Sequence, residues 1–148
     1  MMKRLIVFAA AVMMIGLSGC HKHNEVDENE LLKAGIQGCW ELTSVTTKSA
    51  SVGNVTVDVY IEFLAPDAMT LYQKIGEGRY TKFTGTYTLA EKQLSGTYTS
   101  GNRKTWGPYD ATLDDEEGIL TLALPEKTEK DVYKKIESIP SAVTSNVY

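Results

Sequence analysis

Across residues 40–136, apolar and polar positions alternate with a period of two, in short runs separated by turn residues. That period marks half-buried strands. The clearest run is 55–63, where Val55, Val57, Val59, Ile61 and Phe63 face one way and Thr56, Asp58, Tyr60 and Glu62 the other. Before it, 40–48 puts Trp40, Leu42 and Ser44 on one face, and small residues form a loop over 49–54. Ala65-Pro66-Asp67 turns the chain into a third strand, 69–75, with Met69, Leu71 and Ile75 inward. Gly76-Glu77-Gly78 turns it again, and further strands follow at 79–89, 93–100, 106–113, 118–124 and 127–136. Tyr109, Ala111 and Leu113 alternate in the sixth strand; Leu120, Leu122 and Leu124 point inward from the seventh.

Two of these strands carry an echo. Gly85-Thr86-Tyr87-Thr88 recurs as Gly96-Thr97-Tyr98-Thr99 on either side of a short loop at 90–93. If Leu89 pairs with Leu94, Tyr87 lies opposite Gly96, and Gly85 opposite Tyr98. Each ring then covers the glycine across from it and offsets the weak strand propensity of glycine.

Ahead of the strands, Asp27-Glu28-Asn29-Glu30 has the form of a capping box, with Asp27 as N-cap. Leu31, Leu32 and Ile36 then share a helical face, and Gly35 and Gly38 punctuate the end. So short a helix needs a partner, and we expect it to close one end of the strand assembly. Eight short antiparallel strands joined by local turns would otherwise leave two exposed edges, which closure into a barrel removes. The fold class expected is therefore all-β: an eight-stranded antiparallel up-and-down barrel with a short N-terminal helix. Such a barrel is either filled by its own side chains or hollow enough for one small ligand, and the pattern leaves both open.

The first nineteen residues stand apart. Met1-Met2-Lys3-Arg4 is a positive n-region, 5–15 is an unbroken apolar run, and Leu17-Ser18-Gly19-Cys20 closes it with small residues before a cysteine. This reads as a secretory signal, too short to span a bilayer. Leu17-Ser18-Gly19-Cys20 resembles the lipobox of bacterial lipoproteins, which implies lipid transfer to the Cys20 sulfur and cleavage before it. The expected organisation is a lipoprotein signal peptide at 1–19, a polar tether at 20–29, a barrel domain at 30–140 and a tail at 141–148. The acidic cluster Glu25, Asp27, Glu28 and Glu30 loosely resembles the export signal of surface lipoproteins in Bacteroidetes. The resemblance implies an outer-membrane, surface-exposed location in the cell envelope.

With Cys20 lipidated, Cys39 has no partner for a disulfide and reads as a small buried hydrophobe beside Trp40. Of 15 basic residues, Lys3 and Arg4 leave with the leader; 13 remain against 19 acidic, a net −6. That balance argues against nucleic acid as a partner. The two histidines, His21 and His23, both lie in the tether, and Asp114-Asp115-Glu116-Glu117-Gly118 is too short for a calcium loop. No metal site, cofactor or catalytic motif is expected, and an enzyme is the least supported class.

Gly38-Cys39-Trp40, Tyr60-Ile61-Glu62-Phe63, Gly85-Thr86-Tyr87, Gly96-Thr97-Tyr98, Leu120-Thr121-Leu122 and Ile139-Pro140 together resemble the lipocalin-like lipoproteins widespread in Bacteroidetes, over about 31–140. The resemblance implies a barrel in which Trp40 packs across the closed end beneath a cavity. The expected function is binding of a small apolar or amphipathic ligand by a membrane-anchored protein. The candidate lining residues are Trp40, Leu42, Met69, Leu71, Phe83, Tyr87, Tyr98, Tyr109 and Leu122. The alternative is a side-chain-filled barrel serving an envelope complex, such as glycan uptake, through its 49–54 and 100–108 loops. There Arg103, Lys104, Trp106 and Tyr109 would form the anchor.

Overall fold

Asp27 sits at the start of α1 (Glu28–Ile36) with extended backbone, and its carboxylate accepts from Asn29 N at 3.0 Å. This is the N-cap the sequence predicts. The computed structural model describes residues 27–46, 55–102 and 104–148. The expected signal peptide, Cys20, most of the expected tether, the 49–54 loop and Arg103 lie outside the described residues. Leu32 and Ile36, four residues apart, turn α1 towards the barrel core. Leu31 departs from the expected face and is 60% exposed, because it lies one helical step away from Leu32.

Eight strands follow: β1 (Gly38–Thr46), β2 (Val57–Leu64), β3 (Ala68–Ile75), β4 (Thr81–Ala90), β5 (Gln93–Tyr98), β6 (Thr105–Asp114), β7 (Ile119–Ala123) and β8 (Lys130–Ile136). Each pairs antiparallel with its neighbours, and β1 returns to β8, so the sheet closes into the expected up-and-down barrel. The β4–β5 register is the one the echo predicts: Leu89 opposite Leu94, Tyr87 opposite Gly96, Gly85 opposite Tyr98. The ring over Gly96 is that of Trp106, which pairs with it from β6. A Cβ at Gly96 would run into the Thr86 carbonyl and stand 2.6 Å from Trp106 ring atoms.

Two irregularities break the alternation. Between Leu42 and Ser44 the β1–β8 register slips, so that Leu42 faces Tyr133 and Val45 faces Asp131. Such a bulge adds one residue to a strand and resets which side chains point inward. The second lies in β6 opposite Leu94–Gly96, at Gly107, which has φ +79°. Its Cα approaches so closely that a Cβ would stand 2.6 Å from the Leu94 carbonyl oxygen. Only glycine suits that place.

The core lies at the end of the barrel that α1 closes. Trp40, Phe63, Tyr87, Leu94 and Leu120 are fully buried there with Ile36. Trp40 Nε1 donates to the Ile36 carbonyl at 2.7 Å, tying strand to helix. Lys135 lies 5.4 Å from the centre of the Trp40 ring and donates to the Gly35 carbonyl. Phe63 and Tyr87 meet edge to face at 5.0 Å. Cys39 is buried, and that burial pushes its thiol above the usual range, in keeping with a packing role.

Residues 141–148 are not a tail. Ser141–Thr144 forms a short helix, α2, and Val147 bridges Tyr80. Val143 is buried with Tyr72 and Tyr80, and Tyr60, Ile139 and Val147 pack around them on the outer face of the barrel. The apolar residues Ile139, Val143 and Val147 recur every fourth position, a helical signature on which the polar surroundings prevail in a plain reading.

Candidate functional site

Above the packed end the barrel is hollow. A cavity of about 870 Å³ opens at the end opposite α1, a size that suits a small-molecule ligand. Its walls come from two sets of strands. On one side β1–β3 supply the aliphatic Leu42, Val57, Val59, Ile61, Leu71 and Ile75, with Thr43, Ser44 and Gln73 as polar members. On the other, β5–β8 supply Tyr98, Trp106, Tyr109, Leu122, Asp131 and Tyr133. The alternation predicted for β2 delivers its inward residues here, with Phe63 at the floor.

Of the nine candidate lining residues, Leu42, Met69, Leu71, Tyr98, Tyr109 and Leu122 line this cavity. Trp40 and Tyr87 do not. Both are fully buried in the closed end, where their size is used to fill the floor rather than to face a ligand. Phe83 is half-buried behind the wall: its ring leans on Tyr98 at 5.5 Å, and Gly101 covers it. Trp106 and Tyr109, expected as an exposed loop anchor, both turn inward from β6. The Gly107 irregularity is the reason. In a regular strand two residues three apart face opposite ways; the bulge lets both face in. The sequence signal for it was Gly107-Pro108 inside an otherwise alternating strand.

Asp131 and Tyr133 were not among the candidates. β8 reads as a polar strand, and an acid at an inward position breaks the binary pattern. Register gives them away: Asp131 pairs with Leu122 and Val45, and Tyr133 with Leu120 and Leu42, all inward positions. Burial pushes the Asp131 carboxyl above the usual carboxylate range, and no positive group among the described residues offsets it. Burial likewise raises the Tyr133 phenol well beyond its ordinary range, with Asp131, Tyr109 and Tyr98 close enough to add to the shift. At neutral pH Tyr133 is therefore a hydrogen-bond donor, not a phenolate. The Trp106 Nε1–H is buried and finds no acceptor among the described residues.

The arrangement offers apolar contact, aromatic faces, a few hydroxyls and one carboxyl. It is a binding geometry. Among the described residues no group of histidine, cysteine and carboxylate side chains is placed to hold a metal ion.

Comparison with curated proteins gives no match. Residues 36–122, more than half of the chain, match the family model of the lipocalin-like domain. That segment runs from the Ile36 carbonyl beneath Trp40 to Leu122 on the cavity wall, and the chain belongs to the lipocalin-like domain family.

Proposed function

We propose that this protein is a lipid-anchored carrier of one small apolar or amphipathic molecule, held in the open end of the barrel. The observation that carries this reading is the 870 Å³ cavity with its largely apolar walls. Side chains that could have filled it are spent on the closed end. Lipocalin-like domains are in general binding proteins rather than enzymes, which agrees with this reading. Anchoring rests on Leu17-Ser18-Gly19-Cys20 and the apolar run before it. Two acyl chains on one cysteine hold a protein stably, since each buried methylene contributes about 0.8 kcal/mol. The location that follows is the bacterial cell envelope, at the outer membrane.

Gentle purification from the native host followed by native mass spectrometry tests the carrier. The expected result is an adduct of small-molecule mass that is released on denaturation. Bare protein from host and from refolded material alike, with no ligand taken up from a host lipid extract, would contradict it. Cys20→Ser tests the anchor separately: the protein should leave the membrane fraction, and retention there would overturn that part.

A further inference from the structure

The two walls of the cavity differ in kind. The β1–β3 side is mainly aliphatic, with Thr43, Ser44 and Gln73 as its uncharged polar members, and the β5–β8 side combines aromatic rings with a carboxyl. Among the described residues Asp131 is the one with a formal charge in the lining, and no described lysine or arginine shares the cavity with it. Its carboxylate has no hydrogen-bond or ion-pair partner among the described residues. A carboxylate withdrawn from water without a partner is costly. Asp131 is part-buried in an open cavity, so solvent meets that cost only in part, and an entering cation would meet it more fully.

We propose that the cavity is selective for a protonated amine on an apolar body, the body lying against the β1–β3 wall and the ammonium group held by Asp131 beside Tyr98, Tyr109 and Tyr133. The inference rests on the carrier reading and narrows its ligand class. An ammonium group satisfies the carboxylate directly and gains from the negative faces of neighbouring rings. An alkyl carboxylate does the reverse: it would meet Asp131 as a like charge, with no basic residue among the described lining to hold it. A neutral alcohol fills the aliphatic side and leaves Asp131 uncompensated. The raised affinity of Asp131 for protons has the same origin, because burial penalises its charged form and a bound cation would relieve it. The net charge of −6 left after removal of the leader also steers cations towards the protein.

The test uses a matched series with one alkyl chain and three head groups: decylammonium, decanol and decanoate. Each is titrated into the purified protein at pH 7, below micelle formation, by calorimetry and by Trp fluorescence. The expected order is decylammonium first, by about tenfold over decanol, with decanoate weakest. In Asp131→Asn, which keeps the shape and removes the charge, the amine-to-alcohol ratio should collapse towards one. Equal binding of all three, or a preference for decanoate, overturns the amine inference and leaves the carrier reading intact. A ratio unchanged in Asp131→Asn overturns it too. If none of the three binds, both readings fall together.

Discussion

The two ends of the barrel are built from the same eight strands and are filled in opposite ways. At the closed end Trp40, Phe63, Tyr87, Leu94 and Leu120 are fully buried beneath α1. At the open end Val45, Val57 and Ile75 are 45%, 40% and 62% exposed around a cavity. Both ends are apolar, so hydrophobicity alone does not separate them. On β1–β4 what separates them is side-chain volume: aromatic residues concentrate low on β1, β2 and β4, and β-branched residues stand high on β1 and β2, while the rings of β5–β8 line the cavity without filling it. The difference concentrates close packing at one end and leaves the other open.

The sharpest way to break that division is to truncate one large residue at each end. Trp40→Ala should cost about 3–5 kcal/mol, because it removes a close-packed ring and its bond to the Ile36 carbonyl. Trp106→Ala should cost about 1 kcal/mol, since its ring stands on the cavity wall and the space it leaves is continuous with solvent. Urea denaturation reads both. Equal losses would mean that the open end carries the fold as much as the closed end does.

Gly96→Val probes the seam between the ends and should cost about 1–3 kcal/mol, as overpacking does. The added side chain meets the Thr86 carbonyl and the Trp106 ring, both fixed by strand pairing. A variant as stable as the parent would contradict the pairing of Gly96 with Tyr87 and Trp106.

The smallest effect concerns Asp131. Unfolded, its carboxyl titrates near 3.8; folded, burial raises that value. The native state therefore holds the proton more tightly, and stability falls as pH climbs through the interval above 3.8. Asp131→Asn lacks this loss. Its melting temperature should gain on the parent's as pH rises through that interval, and match it below. A parent that gained on the variant over the same interval would show that Asp131 stabilises the fold.

Much of the architecture was legible in the sequence because strand alternation and turn residues act locally. Asp27 as N-cap, the inward face of β2 and the Gly-Tyr register of β4 and β5 all follow from neighbours in the chain. The site was legible only in part. Trp40 and Tyr87 look like cavity residues because inward and cavity-facing are the same thing in a period-two pattern; height along the barrel decides, and that depends on packing across it. Trp106 was hidden by the Gly107 bulge, and Val45 by the slip after Leu42. Asp131 was hidden because a polar residue at an inward position looks like the outer face of a strand until its partners are known. The last eight residues read as a tail because Val143 and Val147, with Ile139 before them, do not outweigh their polar surroundings until Tyr72 and Tyr80 offer them a surface.

If the open end holds a ligand, plugging the cavity should abolish binding. Leu71 lies midway up the aliphatic wall, opposite Ile61 on β2. An apolar naphthyl fluorophore, titrated into the parent and into a folded Leu71→Trp variant, reports occupancy by its emission. The parent should bind one equivalent saturably, and Leu71→Trp should lose that binding. No saturable binding by the parent, or the same binding by the plugged variant, would contradict it.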